Sequence, residues 1–467
     1  MTRPYRIRHF GNTANNAFYN ARILRSESAI ESDLPIRMFG LTHAISAPAW
    51  EVVDFEVPDA AWVTAPDWSM IEGAVRVNSE YSDLPVDDGS AAGGGSTAGA
   101  RTAAISLART TARRLDGKPW ATPAFQLAYR WMLSRRPTLP RLSDRIDVIY
   151  GADSLLRAEP ADLARTVCVE HGTVRWIADG SREARMLRRA YRDQVARSAH
   201  LWVTNLDPRT LEVAEDVAPG RWSALPHPFQ PDSRIPFATS AQRRSDLTRR
   251  TASSSLALLP ASQNWKAGHD KGSMKALTAF VELRRRGVDV GLIAVEWGLQ
   301  VAESKAFLDR AGVGGHVAWV APMARFALQR MMADADVVWD QFGLDAFGAL
   351  ALHAVEQGTP LVSRGLLPIG ERLIGGPVPW RHAATSDDIV RETTAVLEDM
   401  ARRGRETVIA ETSAAYRSWL ETKHSPAMTA RLQSDLYDAI HDGGLARHSA
   451  VPEQWALNLD AGLREDD

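Results

Sequence analysis

The sequence predicts an α/β protein with two domains, each built around a parallel β-sheet. Short apolar runs rich in β-branched residues alternate with helical segments along most of the chain, a spacing typical of parallel sheets. One series opens with a strand, a glycine turn and a helix within residues 5–25, and a second begins at residue 256. Between them, residues 236–255 are rich in Ser, Thr and Arg and poor in large apolar side chains, which predicts an interdomain linker.

These patterns set the predicted boundaries. Residues 1–235 form the first domain and residues 256–410 the second, with a flexible Gly- and Ser-rich insertion at about 86–102. Residues 411–440 have a helical pattern, and the polar tail at 441–467 is expected to be mobile.

The first predicted strand covers residues 5–10 and ends at a turn with Gly11 and Asn12. A strand, a glycine turn and a helix in this order open a Rossmann-like domain, although the turn here is not GxGxxG. The amide of Asn12, with those of Asn15 and Asn16, has two open roles. It either makes a polar contact to a sugar or caps and turns the chain.

Residues 101–145 form a basic segment in which Arg and Lys far outnumber the acidic Asp116 and Asp144. Aromatic residues are interleaved with these basic residues. Such a segment fits an anionic partner, for example a membrane surface, a lipid-phosphate acceptor or an acidic glycan. A solvated helix face is the other interpretation.

A strand-like run at 166–169 leads into Glu170, His171 and Gly172. Polar residues at the carboxyl end of a parallel strand line the cleft of a doubly wound sheet, so His171 is a candidate site residue. A lone histidine is also common as a structural residue, and that alternative stays open.

In the second domain, strands and helices alternate regularly. The predicted strands are 256–259, 290–295, 317–320 and 337–339, and the predicted helices are 273–286, 303–311 and 326–333.

The segment 336–362 combines a buried strand, a loop with Gly343 and Gly348, a helix over 349–356 and a Gly-Thr-Pro ending at 358–360. The free N–H groups and the positive dipole end of such a helix make an anion site. An ordinary βαβ turn would give the same local pattern.

The whole segment resembles the C-terminal donor-binding motif of the retaining GT-B glycosyltransferases of family 4, the group-1 class. Asp345 holds the first acid position of that motif, and Phe347 and Gly348 hold its Phe-Gly. The second acid is replaced by His353, which accepts one hydrogen bond when neutral. Further pieces resemble one subgroup of the family, at 263–266, 270–272, 295–298 and 340–342.

The resemblance implies a GT-B fold: two Rossmann-like domains facing each other across a cleft, with the final helix crossing back over the first domain. It implies catalytic roles for His171, Lys271 and Asp345. It implies donor binding by Gly11, Asn12, Lys266, Phe347, Gly348 and His353. The two lysines and a helix N-terminus would neutralise the leaving diphosphate, so neither a metal nor a cofactor is expected.

The composition argues against several other classes. With 467 residues, 45% hydrophobic and 24% charged, the chain is typical of globular proteins, and a net charge of −2 gives no argument for nucleic acid. The single Cys168 excludes an internal disulfide and fits a reducing cytosol. No signal-peptide pattern, membrane-spanning run, Ser-His-Asp order or HExxH is present, which predicts a cytoplasmic protein without hydrolase or zinc chemistry. Peripheral contact with an anionic membrane through 101–145 is one option.

The predicted function is transfer of a sugar from a nucleotide-sugar donor to a glycan or lipid-linked acceptor, with retention of configuration. The alternative is a non-catalytic nucleotide-sugar or glycan-binding protein with a degenerate GT-B site. His353 at the second acid position favours that alternative, whereas Lys266, Lys271 and Asp345 oppose it. A GT-B-like epimerase would need several acid/base carboxylates in the cleft, and the sequence does not place them there.

Overall fold

Two six-stranded parallel sheets organise the chain. The computed structural model describes residues 5–32, 44–58, 62–63, 66–81, 138–139, 144–151, 159–160, 162–172, 182–266 and 270–443. The predicted insertion at 86–102, most of the basic segment 101–145 and the tail beyond 443 lie outside these residues.

The first sheet has the strand order β2-β1-β4-β6-β7-β8, and every neighbouring pair is parallel. Its strands are β1 Arg6–Phe10, β2 Glu31–Ser32, β4 Arg145–Tyr150, β6 Thr166–Glu170, β7 His200–Val203 and β8 Trp222–Ala224, while the short strands β3 Thr138–Leu139 and β5 Glu159–Pro160 pair with each other.

The second sheet has the order β11-β10-β9-β12-β13-β14, again all parallel. This is the 3-2-1-4-5-6 order of a Rossmann domain. Its strands are β9 Ser255–Leu259, β10 Val290–Val295, β11 Val317–Val320, β12 Val337–Asp340, β13 Leu361–Ser363 and β14 Arg381–His382.

Helices cover both faces of each sheet, so the central strands β6, β10 and β12 are buried along their whole length. The helices of the first half are α1 Asn16–Glu27, α2 Pro48–Val52, α3 Ala74–Tyr81, α4 Arg182–Val195 and α5 Pro208–Val217. Those that follow are α6 Ala241–Thr251, α7 Ser273–Arg285, α8 Val301–Arg310, α9 Arg325–Asp334, α10 Ala349–Gln357, α11 Pro368–Leu373, α12 Ser386–Arg403, α13 Arg405–Lys423 and α14 Pro426–His441. None of the helices in the described ranges is long and apolar enough to cross a membrane.

The segment predicted as a linker, 236–255, is largely helical because it contains α6. Arg243 of this helix forms an ion pair with the buried Asp334, and Arg244 lies 3.0 Å from Asp336. Leu247 and Thr251 are buried against the second sheet. The polar composition of the segment therefore reflects ion pairs to the second domain as well as exposure to solvent.

The C-terminal helical region, predicted over 411–440, consists of two helices separated at His424 and Ser425. The hydroxyl of Ser425 caps α14 by accepting from the N–H of Met428 at 3.2 Å, and Pro426 opens the helix. The last helix packs on the first domain, where the Tyr5 hydroxyl donates to Asp438 at 2.6 Å.

A buried polar chain also holds α14 to the first domain. Nε2 of Gln433 donates to Oδ1 of Asn20 at 3.0 Å, and Nδ2 of Asn20 donates to the Tyr150 hydroxyl at 3.1 Å. The Tyr437 hydroxyl donates back to Gln433 at 3.2 Å. All four side chains are buried, so each depends on its neighbours in this network for its hydrogen bonds.

Replacing Gln433 with Ala should lower the free energy of unfolding by about 1–3 kcal/mol, because Asn20 and Tyr437 would each lose a buried partner. Urea unfolding followed by circular dichroism measures the change. Arg431→Ala, an exposed position on the same helix, is the matched control and should stay within about 0.5 kcal/mol of wild type. Equal stabilities of the two variants would contradict this prediction.

Candidate functional site

The candidate site lies where the carboxyl ends of the two sheets meet. In each sheet the chain reverses its winding direction between two adjacent strands, β1 and β4 in the first and β9 and β12 in the second. Ligands of open α/β sheets bind outside the carboxyl ends of the strands at such a switch point. The loops after β9 and β12 carry Lys271, Gly343 and Asp345, and the loops after β6 and β8 carry His171 and His227.

The Lys271 loop is held against the loop after β12 by direct backbone packing. The N–H of Phe342 donates to the carbonyl of Lys271 at 2.7 Å, and the N–H of Gly272 donates to Asp270 at 2.7 Å. A Cβ built on Gly343 would lie 2.8 Å from the backbone nitrogen of Gly272, and closer still to the carbonyl oxygen of Asp270. Glycine is therefore required for these two loops to touch.

Lys271 is half-buried, and its charge reaches residues of both domains. Burial, followed by the charges of His424, His171 and Lys271, lowers the pKa of His227 from 6.5 to about 3. Burial also raises the pKa of Asp340, and the charge of Lys271 opposes this rise. Lys271 is therefore near enough to a carboxyl of the second domain and a histidine of the first to influence both.

Asp340 ends β12 and is buried. It belongs to the piece at 340–342 that resembles one subgroup of the family, although the resemblance implies no site role for it. Its side chain is 1% exposed, and its Oδ1 has no hydrogen-bond partner within the described part of the chain. The next residue, Gln341, has a left-handed φ of 43°, which is unusual for a residue with a side chain. Strained backbone of this kind often occurs at functional sites.

Helix α10 starts at Ala349, as the sequence predicts, and Gly348 caps its N-terminus, which faces the first domain. A Cβ built on Gly348 would lie 3.9 Å from Nε2 of His227. His171, which follows β6, is close enough to lower the pKa of His227. The structure thus brings together His171, Lys271 and Gly348 from the predicted set and adds His227.

Asp345 lies beside this group but is engaged with an arginine. Its carboxylate accepts from Nε of Arg364, and the two side chains are 15% and 27% exposed. Asp345 and Arg364 also influence the pKa of Lys275, which burial lowers. The predicted contact of Asp345 with a sugar therefore has to be made by an oxygen of an ion-paired carboxylate.

Two predicted donor-binding residues of the second domain lie in packed surroundings. Phe347 packs edge-on against Trp380 and Trp419, at 5.3 and 6.1 Å between ring centroids. His353 is 6% exposed, its ring lies 5.7 Å from Phe229, and its Nε2 is 3.9 Å from a carboxylate oxygen of Glu51. Burial, followed by Arg325 and His227, lowers the pKa of His353 well below 6.5, so this histidine is neutral.

Lys266 and Asn12 make other contacts. The Lys266 ammonium lies 3.2 Å from Glu303, and its side chain is 56% exposed. Asn12 donates to Asn15 and to the carbonyl of Ser46, both at 2.8 Å, and accepts from the N–H of Phe18. Gly11, with a φ of 78°, forms the turn before it. These bonds use both N–H groups of the Asn12 amide and one acceptor site of its oxygen, as expected for a residue that turns the chain. The contact of Asn12 with a ligand stays a prediction.

The geometry favours an anion. Lys271 supplies a positive charge, the first turn of α10 supplies unpaired backbone N–H groups, and two histidines lie nearby. Within the described ranges, no group of three or more His, Cys, Asp or Glu side chains is arranged to hold a metal ion. His227 escaped the sequence analysis because it follows a short strand as a single histidine between Pro226 and Pro228, a pattern that also marks an ordinary turn.

Two Rossmann-like domains whose carboxyl edges face each other across a cleft form the GT-B fold, and the predicted fold class is confirmed. A scan against protein-family models found no match, and a search of curated proteins found none either.

The chain is similar to several solved structures at low sequence identity. The HepE protein of Anabaena, in complex with UDP and glucose, is 15% identical with a TM-score of 0.46, over 62% of this chain and 78% of HepE. Sucrose-phosphate synthase of Thermosynechococcus elongatus is 14% identical with a TM-score of 0.45, over 69% of this chain and 78% of its own. A glycosyltransferase of Rickettsia africae is 8% identical with a TM-score of 0.41, over 66% of this chain and 99% of its own. Such values carry no information about individual residues.

Replacing Gly343 with Ala should destabilise the protein by about 1–3 kcal/mol, because the added methyl group overlaps the backbone of Asp270 and Gly272. Gly315→Ala is the matched control, since a Cβ built there meets no atom within 4 Å and should change stability by at most about 0.5 kcal/mol. Thermal unfolding of both variants tests the prediction. A Gly343→Ala protein as stable as the control would show that the two loops are not in contact.

Proposed function

We propose that the protein is a glycosyltransferase that moves a sugar from a nucleotide-sugar donor to a glycan or lipid-linked acceptor, with retention of configuration. The observation that supports the proposal is the approach of His227 to Gly348 at the N-terminus of α10, at the switch point of the second sheet, with the charges of His171 and Lys271 acting on that histidine. These groups offer one positive charge and several hydrogen-bond donors, which suits a diphosphate. Retention follows only from the resemblance to family 4.

The chemistry requires charge stabilisation. The bond between the anomeric carbon of the sugar and the diphosphate oxygen breaks, and a bond to the acceptor hydroxyl forms with loss of its proton. Negative charge therefore grows on the β-phosphate as the reaction proceeds. Lys271 and the free N–H groups of α10 would stabilise that charge from fixed positions, which is commonly the largest catalytic effect. His171 and Asp345 would contact the donor sugar.

A non-catalytic binding protein is the second candidate, and the surroundings of His353 favour it. The second acid of the family motif is absent, and the histidine in its place packs against Phe229 at the domain interface. The transferase and a nucleotide-sugar-binding protein would both bind a nucleotide sugar, whereas a glycan-binding protein would bind only the glycan. Only the transferase releases a nucleoside diphosphate when an acceptor is present.

The predicted contact with an anionic membrane or acceptor through 101–145 belongs to the same proposal. Most of that segment lies outside the described residues, so its support is the sequence pattern.

Replacing Lys271 with Ala should lower the turnover number by roughly 100- to 1000-fold, because a donor to the growing charge is removed. Lys271→Arg keeps the charge in a different shape and should retain part of the activity. Lys305→Ala is the control, since this lysine pairs with Glu296 at 2.6 Å in a partly exposed ion pair. The measurement is steady-state release of the nucleoside diphosphate. Turnover of Lys271→Ala within about threefold of wild type would remove the proposed mechanism.

Removal of divalent metal should leave the activity unchanged, because a lysine and backbone N–H groups neutralise the diphosphate. The same release assay in excess EDTA measures this. Strict dependence on Mg²⁺ or Mn²⁺ would contradict the proposal.

A further inference from the structure

His227 is a rigidly held histidine that the proposed chemistry has not yet used. It lies between Pro226 and Pro228, whose rings fix their φ angles, and it is 9% exposed. Its carbonyl oxygen accepts a hydrogen bond from Nε2 of His424 at 2.7 Å. The two flanking prolines and the hydrogen bond from His424, which lies between α13 and α14, therefore fix the backbone of His227.

The residue that holds His227 is itself fixed by an aromatic cluster. The ring of His424 stacks on Trp419, with 5.4 Å between centroids and 12° between planes. Phe347 lies 5.8 Å from His424 and 6.1 Å from Trp419. Since Phe347 immediately precedes Gly348, one packed cluster sets both the start of α10 and the position of His227.

The hydrogen-bonding state of His227 follows from its surroundings. Nδ1 is buried and has no hydrogen-bond partner in the described part of the chain. A buried acceptor without a partner is better tolerated than a buried N–H without one, so the ring proton belongs on Nε2. The pKa of about 3, set by burial and then by His424, His171 and Lys271, keeps the ring neutral near pH 7. Nε2–H is thus a donor next to Gly348.

We propose that His227 binds the diphosphate of the donor at the N-terminus of α10, donating from Nε2 to a phosphate oxygen and closing the site from the first domain. Three kinds of group near this point are donors or positive charges: the N–H groups of α10, Lys271 and Nε2 of His227. An anion is the ligand that satisfies all of them together. The inference rests on the proposed function, because it assigns one more residue to the same donor site.

The test compares binding of a nucleoside and of its diphosphate by titration calorimetry, using the uridine, guanosine, adenosine and thymidine pairs. His227→Phe keeps a ring and removes the donor. It should weaken the diphosphate by about 10-fold or more, which corresponds to a hydrogen bond to a charged group, and leave the nucleoside unchanged. His227→Gln replaces the donor at a similar reach and should restore part of the difference.

A buried histidine elsewhere provides the matched control. His200 has a pKa that burial also lowers to about 3, and it bonds Ser223 at 2.7 Å in β7 and β8 of the same sheet. His200→Gln should change thermal stability without changing the ratio of nucleoside to diphosphate affinity. Equal weakening of nucleoside and diphosphate in His227→Phe would indicate a structural role and overturn the inference.

The outcomes separate this inference from the function on which it rests. Diphosphate binding by wild type that is unchanged in His227→Phe overturns the inference and leaves the proposed function standing. Binding of pyrophosphate alone, lost in His227→Phe, supports the anion site and overturns the nucleotide-sugar function. No binding of nucleoside diphosphate or pyrophosphate by wild type overturns both.

Discussion

A buried arginine connects the two domains, and the geometry of the cleft depends on it. Arg325 opens α9, is 2% exposed and forms an ion pair with Glu356 of α10 at 2.9 Å. It also donates to the hydroxyl of Tyr19 in the first domain at 3.1 Å, and Tyr19 donates to Glu51 at 2.6 Å. Burying an ion pair costs several kcal/mol of desolvation per ion, and further hydrogen bonds to the pair help to offset this cost. Here Glu356 also accepts from the N–H of Asp232 at 2.6 Å, four residues before the predicted linker.

One short helix, α10, connects the ion pair at its C-terminal end with the cleft at its N-terminal end. α10 has nine residues, which span about 13 Å; Glu356 lies near its C-terminal end and Gly348 caps its N-terminal end. Fixing Glu356 to Arg325 and Asp232 therefore also directs the free N–H groups towards His227. His353 lies between the two ends, 3.9 Å from Glu51. A carboxylate at 353 would repel Glu51, whereas a neutral histidine is compatible with this first-domain carboxylate.

The sequence was sufficient for whatever depends on local pattern. Alternating apolar runs predicted both sheets, and the glycines and the helix pattern predicted the loop at Gly343 and the start of α10 after Gly348. The position of Lys266 could not be predicted, because its loop allows either the cleft or Glu303 as a partner. The motif predicts a donor-binding role for Phe347, and its ring packs 5.8 Å from that of His424, a contact that the spacing of the motif does not reveal. Arg325 and His227 were missed because their partners, such as Tyr19 and Gly348, lie more than a hundred residues away.

The chemistry of the interface determines how easily the domains can separate. The ion pair between Arg325 and Glu356 lies wholly within the second domain, so it would stay formed on separation, whereas the bonds of Arg325 to Tyr19 and to the carbonyl of Gln230 would break. The ion pair of Arg330 with Asp54 and the ring contact of Phe229 with His353 also cross the interface. Water would then hydrate a pair that remains formed, which returns much of the desolvation cost. An apolar contact would instead lose about 25 cal/mol for each Å² exposed. The junction thus combines polar bonds such as Arg325 to Tyr19, which fix the direction of α10, with a buried apolar cluster that joins Phe229 to Ala351 and Leu352 and opposes separation.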